Sequence, residues 1–268
     1  MTTSTNDNMS FLEHLEELRW HIIRSIIAIV SAGFICFLMK DFIFDTIIFG
    51  PKKMDFPTYK FLCQAATFIG VETTFCGDEF PFIVQNRTMA GQFSAHVMTS
   101  VIAGFIISFP YVLYEFWKFI SPGLLDKEKS RSRGFIFISS LLFFMGVLFG
   151  YYIICPLSIN FLGTYQVSSQ VLNEIDLGSF IGLVRSSSLA SGIIFELPII
   201  IYFLTKAGVV TPDSLIKYRK YALVLVLILA AIITPPDVAS QIIVAIPIVI
   251  LYQVSIFISR IVVKNQIK

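Results

Sequence analysis

Phe135 to Ile154 reads FIFISSLLFFMGVLFGYYII, with no charged residue. A helix needs about 20 apolar residues to cross the hydrocarbon core of a bilayer, and this run supplies them. Apolar and polar residues do not alternate along it, so it reads as helix rather than strand. A helix also satisfies its backbone groups internally, which lipid demands. Outward from this segment, similar runs recur at Ile22 to Met39 (interrupted by Arg24), Ala95 to Leu113, Ser186 to Leu204 (interrupted by Glu196), Tyr221 to Ile233 and Ile242 to Ile258. They predict an all-α integral membrane bundle of six transmembrane helices. Pro110, Pro198 and Pro247 fall inside three of these spans and predict kinks.

Composition agrees. Of 268 residues, 56% are hydrophobic and 14% charged, and the mean hydropathy is +0.79. That is too little charge to coat a soluble domain. The expectation is one membrane domain over 1–268, with a short cytoplasmic head at 1–21 and a long outer connection at about 40–89. The head carries Glu13, Glu16 and Glu17 and lacks the pattern of a cleaved signal, so the first span is expected to drive insertion. The net charge of +2, spread over many loops, argues against nucleic acid as a partner. Fourteen of the 20 Lys and Arg residues lie in the head, the second and fourth connections and the tail. The positive-inside rule then places both termini in the cytoplasm.

Cys36, Cys63, Cys76 and Cys155 show no metal-ligand spacing with one another or with His14, His21 and His96, so no metal or other cofactor is implied. No zinc-protease motif or nucleophile elbow is present, so no catalytic residue is assigned and the chain is read as a non-enzyme. Cys63 and Cys76 share the outer connection and could pair in an oxidising compartment. A helix is predicted from Tyr59 to Ile69, ended by Gly70, with Phe61, Leu62, Ala65, Phe68 and Ile69 forming an apolar stripe that lies on the outer bilayer face or caps the bundle. The fifth and sixth spans are expected to be unusually short.

Three places stand out. In Phe11-Leu12-Glu13-His14-Leu15-Glu16-Glu17-Leu18-Arg19 the leucines recur at helical spacing, so the segment can lie in the headgroup layer. Its acids are either a solvated face or a site for a cationic ligand. Phe116-Trp117-Lys118-Phe119-Ile120-Ser121-Pro122-Gly123-Leu124 ends the second span with interfacial aromatics and a turn; Glu128 follows among bases that could pair with it locally. Glu196 sits mid-span, where a carboxylate costs at least ~2.5 kcal/mol, and so should face the bundle interior, a wet cavity or a partner.

Together with Phe195-Glu196-Leu197-Pro198, Thr234-Pro235-Pro236-Asp237-Val238, Ser240-Gln241 and Ala245-Ile246-Pro247, these segments resemble the TatC family over nearly the whole chain. TatC is the multispanning receptor subunit of the twin-arginine protein translocase. The resemblance implies a cup-shaped, six-span protein of the cytoplasmic (inner) membrane, surrounded by lipid, with both termini inside. It implies binding of twin-arginine signal peptides on folded precursors, assembly with single-span TatA- and TatB-like partners, self-association in a receptor complex, and export driven by the proton-motive force. Matched position by position, Glu17, Glu128, Arg19 and Phe119 fall on the signal-peptide site. Glu196 and Gln241 fall on intramembrane polar positions associated with a partner helix, and Pro51, Pro198 and Asp237 on structural or outer-cap positions. The chain departs from the family pattern in its long outer connection with Cys63 and Cys76, and at His96.

An alternative from another class is a small secondary transporter using Glu196 as a proton site. It would need further polar groups at the midplane, whereas Glu196 is the only acid inside the six apolar runs. A membrane hydrolase lacks a nucleophile with its base.

Overall fold

The computed structural model describes residues 11–70, 76–77, 80–120, 132–168, 170–233 and 238–266. In chain order the elements are α1 (Phe11–Leu38), a π-helical turn (Phe42–Ile48), a 3-10 turn (Gly50–Lys52), α2 (Pro57–Ile69), β1 (Phe82–Gln85) and α3 (Gly91–Ile120). Then come α4 (Ser132–Phe149), a π-helical turn (Gly150–Ile154), α5 (Cys155–Thr164), β2 (Asn173–Asp176), α6 (Leu177–Phe195), α7 (Leu197–Lys206), α8 (Pro212–Lys217), α9 (Arg219–Ile233) and α10 (Val238–Gln266). The architecture is an all-α multi-pass membrane bundle. Its one departure among the described residues is a short parallel pairing of β1 with β2, from Phe82 opposite Asn173 to Gln85 opposite Asp176.

Five helices among the described residues are long and apolar enough to cross a membrane: Leu15–Leu38, Gly91–Ile120, Gly134–Thr164, Leu177–Lys206 and Gln241–Lys264. One of the six expected spans falls short of that length. The apolar run from Tyr221 is α9, only 15 residues long, because Lys220 precedes it and Thr234-Pro235-Pro236 follows it. The last span is not short, since α10 runs for 29 residues and carries Pro247 inside it. The acidic head is likewise not a separate surface helix: α1 continues unbroken from Phe11 into the span.

The chain packs as two compact units. One comprises residues 1–38 and 100–140, the other 39–99 and 141–268. In the first, α1 and α3 approach backbone to backbone: a Cβ on Gly104 would lie 2.5 Å from the Gly33 nitrogen and 2.6 Å from the Ile29 oxygen. In the second, Gly146 and Gly150 face Ser187, Ser188, Ser191 and Gly192 of α6. A Cβ on Gly146 would meet the Ser191 oxygen at 2.6 Å, and one on Gly150 the Ser188 Cα at 2.8 Å. Small residues four apart on both helices allow the close approach that provides packing energy where no water is expelled. The apolar core of this unit gathers Ile154, Val226, Ala230, Val244, Ala245 and Ile248.

In that same unit α2 starts on Pro57, which sets the first helical turn, and ends where Gly70 takes φ 75°, as the sequence predicts. Its apolar stripe does not cap the bundle. Tyr59 and Ala66 form the buried side, while Phe61, Phe68 and Ile69 of the apolar stripe are 69%, 93% and 73% exposed. The cause is the buried Tyr59 hydroxyl, which lies 2.9 Å from the Pro51 carbonyl and 3.0 Å from that of Pro156 and shares its one proton between them. Burial, with Cys155 adding to it, pushes this phenol well above its ordinary pKa, so it keeps its proton. Phe56 packs beside it against Tyr151 and Tyr152. A disulfide joins Cys63 of α2 to Cys76, their Cα atoms 5.1 Å apart. Alkylation of unreduced protein from an oxidising compartment should therefore modify neither cysteine until reductant is added. Modification of both without reductant contradicts the bridge.

Candidate functional site

The start of the first span and the end of the second meet in the first unit. α1 stays helical through its charged start because Glu17, His21 and Arg24 recur at i, i+4 and i+7 and share one face. On α3, Glu115 and Phe119 are likewise one turn apart. His21 Nδ1 lies 2.6 Å from Glu115 Oε2, and Arg24 Nη1 lies 3.9 Å from the same oxygen. The His21 ring also meets Phe119 edge to face at 6.2 Å. Glu115 is 3% exposed, with the Tyr111 hydroxyl directed at it from one turn earlier. Trp117, itself buried, packs on Phe135 at 4.7 Å.

This arrangement clamps the rotation of α1. Glu17, half-buried, stands one turn before the clamp, while Arg19 is exposed on another face. Phe119 thus joins the head through His21. Glu128, placed on the same site by the sequence, lies outside the described residues.

Glu115 is the residue that uncharged runs do not reveal. The second run was closed at Leu113, yet α3 continues to Ile120, so Glu196 is not the only acid inside the spanning helices. The helix tolerates the carboxylate because His21 hydrogen-bonds it and the Arg24 guanidinium stands 3.9 Å away. The available signal was Arg24, a charge interrupting span one that required a partner from a neighbouring helix.

In the second unit Glu196 marks the joint between α6 and α7. Its N–H turns back to the Ile193 oxygen at 3.1 Å, and its own carbonyl starts α7 by accepting from Ile199 at 2.9 Å and Ile200 at 3.0 Å. Pro198, in the first turn of α7, has no N–H to continue the α6 ladder, so the break falls here. The Glu196 side chain is buried at 8% exposure, between Phe195, which packs on Phe149 at 5.5 Å, and Leu197, which packs on the apolar core. Gln241 donates from Nε2 to the Leu227 carbonyl at 3.1 Å and so ties α10 to α9. Pro51 is buried beneath Tyr59. Asp237 lies outside the described residues. Among the described residues no group of three His, Cys, Asp or Glu could hold a metal ion.

The family model described as Sec-independent protein translocase protein (TatC) matches residues 13–247. The Sec-independent protein translocase protein TatC of Blattabacterium sp. subsp. Periplaneta americana is 47% identical over 261 residues, covering 97% of this chain and 98% of that protein. The TatC of Aquifex aeolicus is 35% identical over 261 residues, with 96% and 98% covered. A crystal structure of the twin arginine translocase receptor TatC in DDM superposes with a TM-score of 0.70 at 35% identity, over 91% of this chain and 98% of that one. A second crystal structure of this receptor gives 0.66 at 33% identity, over 94% and 100%. With the spans, the paired head and the Glu196 joint on one chain, these likenesses make it a member of the TatC family, a Sec-independent protein translocase subunit and not an enzyme.

Proposed function

We propose that the chain is the signal-peptide receptor of a twin-arginine translocase. The carrying observation is that α1 is clamped by Glu115 while Glu17 stands one turn away, half-buried. A guanidinium is permanently charged and presents a planar fork of donors that a carboxylate accepts in pairs. Glu17 and Glu128 each take one arginine of the pair, beside Phe119 and Arg19. Lysine, a point charge without the fork, is the poorer ligand.

The test is affinity for a twin-arginine peptide against a twin-lysine control. Glu17→Ala and Glu128→Ala should each weaken twin-arginine binding about tenfold, the value of one charge-assisted hydrogen bond. If both variants bind as wild type does and still prefer arginine, the solvated-face reading of the head is correct.

The same reading makes the chain one membrane domain in the cytoplasmic membrane, cup-shaped, with six crossings and both termini inside. α9, ~22 Å long against a hydrocarbon core of ~30 Å, then crosses where the bilayer thins around it. The joint at the buried Glu196 is where the transmembrane helix of a TatA- or TatB-like partner docks, with Gln241 holding the last hairpin in place, and receptor copies self-associate. The charge distribution supports this orientation. A reporter active only in the cytoplasm should work when fused after Lys268. Activity there of an export-only reporter would invert the topology.

A further inference from the structure

Within the second unit a cavity of about 1430 Å³ opens among the turns after the first span, β1 and the starts of α3 and α6. Lys40 follows the end of α1 by two residues, Gln92 to His96 belong to the first turns of α3, and Leu177 is the first residue of α6. All three are the ends of membrane-spanning helices. The cavity therefore lies at headgroup depth rather than in the hydrocarbon or in bulk water.

Its lining carries both signs of charge. Lys40, Lys52 and Lys53 stand with Asp41, Asp45 and Asp55, and among the described residues none of the six is in an ion pair. The walls between them are aromatic: Lys52 Nζ sits 5.8 Å above the Phe82 ring, and His96 meets Phe44 edge to face at 5.6 Å. A simple anion would be repelled by the aspartates and a simple cation by the lysines. A ligand that carries both charges a few bonds apart matches both sets.

We propose that this cavity binds the headgroup of a zwitterionic aminophospholipid, with its phosphate on the lysines and its primary ammonium on the aspartates. The phosphate accepts charge-assisted hydrogen bonds from lysine ammonium groups, and the ligand's N–H donors are accepted by the carboxylates. A choline headgroup has no N–H to donate, and a glycerol headgroup has no cation, so ethanolamine is the class that fits. Phe93, which lines the cavity and is 67% exposed, gives apolar surface beside the charges for the acyl chains. The inference goes beyond the receptor assignment and does not rest on it.

The experiment uses the full-length protein, delipidated in detergent and titrated with phosphatidylethanolamine, phosphatidylglycerol or phosphatidylcholine of identical acyl chains, with occupancy read by native mass spectrometry. Wild type should retain phosphatidylethanolamine most strongly. Asp41→Asn with Asp45→Asn should weaken that lipid about tenfold and leave phosphatidylglycerol unchanged, whereas Lys52→Gln with Lys53→Gln should weaken both. Lys53, Asp41 and Asp45 are exposed and Lys52 half-buried, so all four changes should leave thermal unfolding in place. Equal binding of the three lipids by wild type overturns the proposal on its own, without reference to any variant. Wild-type retention of phosphatidylethanolamine by either double variant overturns the assigned contacts.

Discussion

Gly150→Leu is expected to stop the protein accumulating in the membrane. Gly150 opens the π-helical turn that carries α4 into α5, and its missing side chain is what lets that turn lie on the backbone of Ser187 and Ser188. A Cβ there would collide with backbone atoms, which cannot rotate away as a flexible side chain can. Ordinary overpacking costs about 1–3 kcal/mol, and a clash with helix backbone that forces two spans apart should exceed that range. The neighbouring Gly146 makes the same kind of contact at Ser191, so the two helices cannot slide by a turn to escape. Gly150→Ala should be milder but still destabilising. Membrane-fraction abundance and thermal unfolding in detergent measure both. A Leu variant with wild-type abundance and unfolding temperature would mean the helices can separate there without loss.

The contrast between this glycine and the run around it shows what could be read from the chain. FIFISSLLFFMGVLFGYYII declares a spanning helix because the bilayer tests only length and hydropathy, both local properties. Gly70 declares a helix end because a left-handed residue is a local requirement met most cheaply by glycine. Which glycine meets which serine is not local, and no periodicity in α4 alone points to α6. α2 shows the same division. Its helix and its stop were legible, but which of its two expected placements its phenylalanine stripe takes was not, because Tyr59 reaching the carbonyls of Pro51 and Pro156 sets its rotation. At the candidate site the head motif was legible as a set of residue types. Glu115 was not, because a run defined by absence of charge must end before a carboxylate that only the folded neighbour neutralises. The shortness of α9 was legible, since Lys220 and Thr234 bound its apolar run and the helix has 15 residues, whereas the 29-residue length of α10 was not.

Glu115→Ala should both loosen the first unit and weaken peptide recognition. The carboxylate is almost fully buried and carries His21 at 2.6 Å and Arg24 at 3.9 Å, so its removal takes the hydrogen-bond partner from His21 and the counter-charge from Arg24 at once. Breaking a buried pair by deleting one partner costs about 3–5 kcal/mol. Arg24 is 48% exposed in its side chain and can turn to water, which places the loss toward the lower end of that range. The functional consequence follows from helix geometry. Glu17 precedes His21 by one turn on the same face, and without the clamp nothing in this cluster fixes the rotation at which α1 presents it. Binding of a twin-arginine peptide should therefore fall although Glu17 is intact, and should fall less for Glu115→Gln, whose amide oxygen can still accept from His21. A double-mutant cycle of His21→Ala with Glu115→Ala separates the clamp from general damage, since two residues acting through one contact lose less together than the sum of their separate losses. If the two losses simply add, or if Glu115→Ala unfolds and binds like wild type, the clamp does not hold α1 and Glu17 is positioned by other means.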